Sequence, residues 1–210
     1  MAQLELELAY CDGGKHKEAN TRPEAVLYEN EEVYCTKTSE CNMIFQHVGA
    51  KCFTLKKMVI QGPSMGYTSP VQEGMIFVTM DKEDLAPACR YPFRLENHVD
   101  DDDDDDDDNG PDESDDDELN DLEFPLLEPY RTAPGSQADE SRMEPSARFK
   151  IRKEDRGNKV KATLTFEPAL SGRFILARFF SPTRRENIDI QFIGAYGYVG
   201  RRFFPAIHPR

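Results

Sequence analysis

Tryptophan is absent from the 210 residues, and no run of apolar residues approaches the length of a membrane span. The opening MAQLELELAYC has neither a basic stretch nor a long apolar one, so no secretory signal is expected. Cys11, Cys35, Cys41, Cys52 and Cys89 are odd in number and unevenly spaced. They read as reduced thiols of a cytoplasmic or nuclear protein rather than as a disulfide framework. Phosphate-binding loops and dinucleotide fingerprints are missing. His16, His47, His98 and His208 are scattered without an i, i+4 pair, and read as surface or loop residues rather than general bases. No stretch carries the period of an amphipathic helix three turns long.

What is present begins with acid. Nine aspartates run from Asp100 to Asp108, and residues 100–123 hold 17 of the chain's 40 acidic residues and none of its Lys or Arg. The remainder has 23 acidic against 26 basic residues, so the net charge of −14 belongs to one segment. Adjacent carboxylates repel one another and have no apolar surface to offset the entropy of ordering, so residues 98–146 are expected to be a disordered insertion. Its one apolar island is Phe124-Pro125-Leu126-Leu127, and Ser114 precedes three aspartates, a context that suits an acid-directed kinase. Calcium binding fits poorly, since an EF-hand loop needs spaced ligands and a turn glycine.

The flanks read as strands. Residues 42–46, 53–61 and 75–80 precede the acid run, the last apolar throughout, as a strand buried on both faces would be. After it, Val160, Ala162, Leu164 and Phe166 alternate with Lys161, Thr163 and Thr165. RFILARFF follows, and then NIDIQFIGAYG, in which Ile188, Ile190 and Phe192 face one way and Asp189 and Gln191 the other. Gly194 and Gly197 end or bulge that strand. Strands about ten residues apart with Pro and Gly punctuation indicate an antiparallel sandwich or barrel. Neither flank alone supplies two sheets, so residues 26–97 and 147–197 are read as halves of one β-sandwich domain. Residues 1–25 are then an N-terminal arm and 198–210 a basic, aromatic tail.

Two motifs bear on chemistry. GPSMG at 62–66 matches the G-x-S-x-G elbow that exposes a nucleophilic serine, but Tyr67-Thr68-Ser69-Pro70 follows where that elbow needs a helix. Cys35, Cys41, His47 and Cys52 are close in sequence, yet zinc knuckles and ribbons keep paired ligands two to four residues apart. No catalytic residue, metal or cofactor is expected.

The stretch GRFILARFFSPTRRENIDIQFIGAYG (172–197) resembles the closing strand pair of discoidin-like, galactose-binding-type jelly rolls. VLYENEEVYCTKTSECNMIFQH resembles the family's opening loop and first sheet strand. FTLKKMVIQGP resembles the second, and GMIFVTM the strand after a loop. The chain departs from the pattern at Val33-Tyr34-Cys35, where relatives often carry TYW. The resemblance implies an all-β jelly-roll sandwich acting as a non-catalytic recognition module. Reduced cysteines favour the intracellular, DOC-like branch, whose members serve ubiquitin ligases. A protein partner is therefore expected, in an accessory or substrate-recruiting role; carbohydrate binding, as in the extracellular relatives, is an alternative.

Recognition is expected in loops at the sandwich ends, at Glu29, Asn30, Tyr34, Tyr67, Thr68, Arg184, Arg185 and Asn187. Residues 141–210 carry 15 Lys and Arg against 6 Asp and Glu. Within them, Arg201, Arg202, Phe203 and Phe204 combine arginine with aromatics, as interfaces do. This basic half could instead be screened by the acid run or grip nucleic acid, and the acid run itself could take basic partners such as histone tails in a nuclear acidic-loop protein.

Overall fold

A computed structural model of the protein describes residues 1–17, 21–92, 143–151, 160–181 and 186–200. The segments Met1–Tyr91 and Glu140–Arg210 form one compact unit. The second unit, Pro92–Asp139, lies outside the described residues except for Pro92, as do the acid run, the Phe124–Leu127 island, Ser114 and the expectation of disorder over most of the insertion.

Eleven strands are described: β1 (Ala2–Gln3), β2 (Leu6–Cys11), β3 (Tyr34–Cys35), β4 (Glu40–His47), β5 (Phe53–Gln61), β6 (Glu73–Thr79), β7 (Ala147–Lys150), β8 (Lys161–Gly172), β9 (Phe174–Phe180), β10 (Asp189–Ile190) and β11 (Phe192–Val199). They form a four-stranded sheet ordered β1-β11-β5-β8, a five-stranded sheet ordered β2-β4-β9-β6-β7, and a small ribbon of β10 and β3. The strand pairs are antiparallel. β6 and β7 flank the acid run in sequence and pair with each other, Glu73 opposite Lys150. A long connection between paired neighbours is tolerable because loop-closure entropy grows only logarithmically with length.

One core joins the two flanks. Met43, Phe45, Phe53, Leu55, Met58 and Ile60 from before the acid run cluster with Ile175, Ala177, Phe179 and Ile193 from after it. Each of these Met, Phe, Leu and Ile side chains contributes about 1.5–3 kcal/mol on burial. The alternation of β8 appears as anticipated, with Ala162 and Phe166 buried and Lys161, Thr163 and Thr165 exposed.

β6 and β9 are buried on both faces for a reason beyond their own composition. A short helix, α1 (Leu85–Cys89), and Tyr91 cover the outer side of the five-stranded sheet. The Phe77 and Tyr91 rings meet edge to face at 5.7 Å. Arg178 of β9 is drawn beneath this cover, 5% exposed. Its Nε donates to Asn42 Oδ1 at 2.7 Å and its Nη1 to the carbonyls of Ala88 and Tyr91.

Three expectations need correction. Residues 1–25 are not an arm: β1 pairs with β11, β2 pairs with β4, and Leu4 joins the core. The strand read over 187–197 is two strands, because β10 leaves the sheet to pair with β3, and β11 continues past Gly197 to Val199. The tail therefore begins later than residue 198, and Arg201, Arg202, Phe203 and Phe204 lie outside the described residues. A register shift does occur between Tyr196 and Gly197, where β5 carries the extra residue, Lys56.

Candidate functional site

The β10–β3 ribbon organises one end of the sandwich. Asp189 is 1% exposed although it was expected to face outward with Gln191. Its Oδ2 accepts from Ser69 N at 3.0 Å and its Oδ1 from Asn187 Nδ2 at 2.5 Å. Its backbone exchanges bonds with the same loop, donating to Ser69 O at 2.8 Å and accepting from Val71 N at 3.0 Å. A buried carboxylate is tolerable because these donors replace water. Opposite it, the Cys35 thiol is pushed up to about 12 by burial, then by its hydrogen bond to Asp189 and that residue's charge. The thiol stays protonated and donates to the carboxylate.

Further loops attach to this hub. Thr36, fully buried, donates its N–H to Ile188 O at 3.0 Å, while its Oγ1 accepts from Ile188 N at 2.7 Å. Gln191 Nε2 donates to Asn30 O at 3.0 Å, and Gln61 Nε2 donates to Gln191 Oε1 at 3.1 Å. Ser69 Oγ is 2.6 Å from Glu186 Oε2. The loop over residues 12–17 joins through His16 N to Cys35 O at 3.1 Å and Lys37 N to Gly13 O at 2.7 Å. Loops 62–69 and 186–188 thus bond to the buried carboxylate itself, and loops 12–17 and 28–33 attach to β3 and to Gln191 beside it.

Of the anticipated residues, the structure brings Asn30, Thr68, Tyr67 and Asn187 to this end, with Glu29 beside Asn30. The Asn30 side chain accepts from Glu32 N at 3.0 Å, shaping its own loop. Tyr67 is 44% exposed, and its hydroxyl is held above the usual range by partial burial and by the nearby Cys35 and Asp189. Gly66, with φ of 81°, supplies the left-handed turn that presents it. Arg184 and Arg185 lie outside the described residues. Tyr34 is not a loop contact: it sits in β3, 1% exposed, with its hydroxyl donating to Gly14 O. An aromatic beside an acidic loop looks like a binding residue in sequence, but pairing with β10 turns this one inward. Sequence reasoning missed Asp189, Ser69, Thr36 and Gln191; the available signal was a carboxylate set between Ile188 and Ile190.

Ser64 is exposed in loop 62–69, and the chain after it bends toward β6 without a helix, so the strand–turn–helix frame of a nucleophile elbow is not formed. Cys41 and His47 lie near opposite ends of β4, about 20 Å apart at the rise of a strand. No group of three His, Cys, Asp or Glu side chains suited to a metal occurs among the described residues. A cavity of about 370 Å³ lies away from the loop end, at the register jump of β8, lined by Lys56, Lys57, Phe166, Glu167 and Pro168. With Glu167 its single carboxylate and no convergent polar set, it reflects strand packing.

With this architecture in place, comparison with solved structures becomes decisive for the fold. The C-terminal domain of a chitobiase from Bacteroides fragilis superposes with a TM-score of 0.52 at 8% identity, over 96% of this chain and 99% of that one. The family 32 carbohydrate-binding module of Clostridium perfringens NanJ, in complex with galactose, gives 0.51 at 8% identity over 92% and 97%. Another C. perfringens module of that family, in complex with GalNAc-β-1,3-galactose, gives 0.51 at 7% over 93% and 100%. The fold is a discoidin-like, galactose-binding-type jelly roll. No protein-family profile matches the chain, and no curated protein does. What this jelly roll does must be argued from its own loop end.

Proposed function

We propose that the chain is a non-catalytic binding module that takes a carbohydrate at the loop end organised by Asp189. The observation that carries the reading is a half-exposed Tyr67 ring on a loop tied by hydrogen bonds to Asp189 and Glu186, at the end of the sandwich where the Asn30 and Asn187 loops are also anchored. The apolar face of a pyranose packs against an aromatic ring, and its hydroxyls bond to fixed amides and carboxylates. Galactose and GalNAc-β-1,3-galactose in the two clostridial jelly rolls support that ligand class. The test is a glycan array followed by calorimetry with the best binder. Galactose-terminated glycans should be retained, and Tyr67→Ala should weaken binding at least about tenfold, or ~1.4 kcal/mol. Its urea midpoint should move little, since the ring stands half exposed on a loop outside the core. A wild-type chain that retains no glycan overturns the reading.

A second reading has its own observation. Met65 is 81% and Tyr28 65% exposed, both on loops, and methionine and tyrosine are enriched in protein interfaces. They would suit a protein partner, with the chain as an accessory or substrate-recruiting component of a larger complex such as a ubiquitin ligase. The five free cysteines support a cytoplasmic or nuclear setting. Co-purification that survives excess galactose but is lost in a Tyr28→Ser, Met65→Ser double variant would favour this reading.

A further inference from the structure

We infer that Cys11 and Cys41 form a thiol–disulfide site, closed by a hydroperoxide, that ties the end of β2 to the start of β4 beside loop 12–17. Their sulfurs are 3.8 Å apart. Cys11 is opposite Met43 in the β2–β4 ladder, so Cys41 is its diagonal neighbour on the same face of the sheet. Diagonal pairs stand about 7–8 Å apart at Cα, just beyond the usual span of a disulfide. Closing the bond therefore pulls backbone with it. β2 can follow, because it is the outer strand of its sheet and already carries a register shift between Leu8 and Tyr10.

The two thiols are unequal. Cys11 is partly exposed, whereas Cys41 is 1% exposed. The Cys11 thiol is lowered from its ordinary range by its hydrogen bond with Cys41, while that same bond and burial raise Cys41. The single Tyr34 hydroxyl proton is committed to Gly14 O, so the donor that matters to Cys11 is the Cys41 thiol. The accessible sulfur is thus the nucleophile and the buried one resolves.

The Cys11 thiolate attacks a peroxide oxygen; an S–O bond forms, the O–O bond breaks, and the departing oxygen takes up a proton. Cys41 sulfur then attacks the Cys11 sulfenic acid, forming the S–S bond as hydroxide leaves with the Cys41 proton as water. Two electrons pass from the thiol pair to hydrogen peroxide, which yields two waters. A low-molecular-weight thiol reverses the change by exchange.

The consequence falls on loop 12–17. Gly13 fits so closely that a Cβ there would come within 2.7 Å of Cys41 Sγ and 2.8 Å of the Tyr34 hydroxyl. Movement of either sulfur is therefore passed to the loop, and through His16 N to the ribbon that holds Asp189.

The test uses the full chain treated with hydrogen peroxide, denatured in N-ethylmaleimide and digested for mass spectrometry. Reactive thiols should fall from five to three, with a Cys11 peptide joined to a Cys41 peptide and the change reversed by dithiothreitol. In Cys41→Ser the reaction should stop at a dimedone-reactive Cys11. Because the principal readout is on the unaltered chain, a variant that fails to fold leaves it intact. The inference is overturned if Cys11 and Cys41 both remain alkylated at peroxide levels that consume Cys52. It is equally overturned if Cys11 pairs with another cysteine, or passes to sulfinic acid unpaired.

Discussion

Arg178→Met is expected to destabilise the protein by about 3–5 kcal/mol, because methionine fills much of the volume but supplies no donors. Asn42 Oδ1 and the carbonyls of Ala88 and Tyr91 would lose their partner beneath a cover that admits little water. The ion pair with Glu40 is a small part of this, at 3.9 Å and with Glu40 largely exposed. Burial pulls the guanidinium below its usual range, but arginine keeps its charge in proteins, so the loss should not depend on pH between about 6 and 8. Urea unfolding would show a lower midpoint at an unchanged slope. Arg173→Met is the control: it is exposed, bonded at 3.4 Å to Cys52 Sγ, and should shift stability by no more than about 0.5 kcal/mol. A loss below about 1 kcal/mol for Arg178→Met would mean that α1 is not pinned by this residue.

The second large effect belongs to Asp189. Asp189→Ala would strand Ser69 N and Asn187 Nδ2 as buried or half-buried donors, at a cost of roughly 2–4 kcal/mol. The expected signature is twofold: a reduced thermal midpoint, and loss of whatever the loop end binds even where the protein remains folded. Asp189→Asn should be milder, since one amide oxygen can still accept from Ser69 N, while its NH₂ would face the Asn187 donor. A chain that keeps full ligand affinity as Asp189→Ala would separate this carboxylate from the binding surface. The Tyr67→Ala prediction would be untouched by that outcome, so the two experiments test different parts of the site.

How much of this was legible in the sequence follows from the range of each interaction. β5 is read at 53–61 and found at Phe53–Gln61, because strand character is local and Gly62-Pro63 ends it. β8 declares its inward face by alternation, and β6 its double burial by being apolar throughout. β1 and β2 are not legible, and residues 1–25 read as an arm, because a short strand is not distinguished from an arm until its partner is known. The loop end is harder. Tyr67 and Asn187 are placed by loops whose existence the sequence announces, whereas Tyr34 and Asp189 are decided by a pairing between residues more than 150 positions apart.

An antiparallel all-β sandwich written in two pieces around an acid run is readable residue by residue, since alternation, turn residues and charge act over short stretches of chain. Which polar residues turn inward depends on contacts made when distant segments pack together. Asp189, Thr36 and Arg178 are buried because donors and acceptors from distant loops replace their water, and no local pattern encodes where those partners will stand.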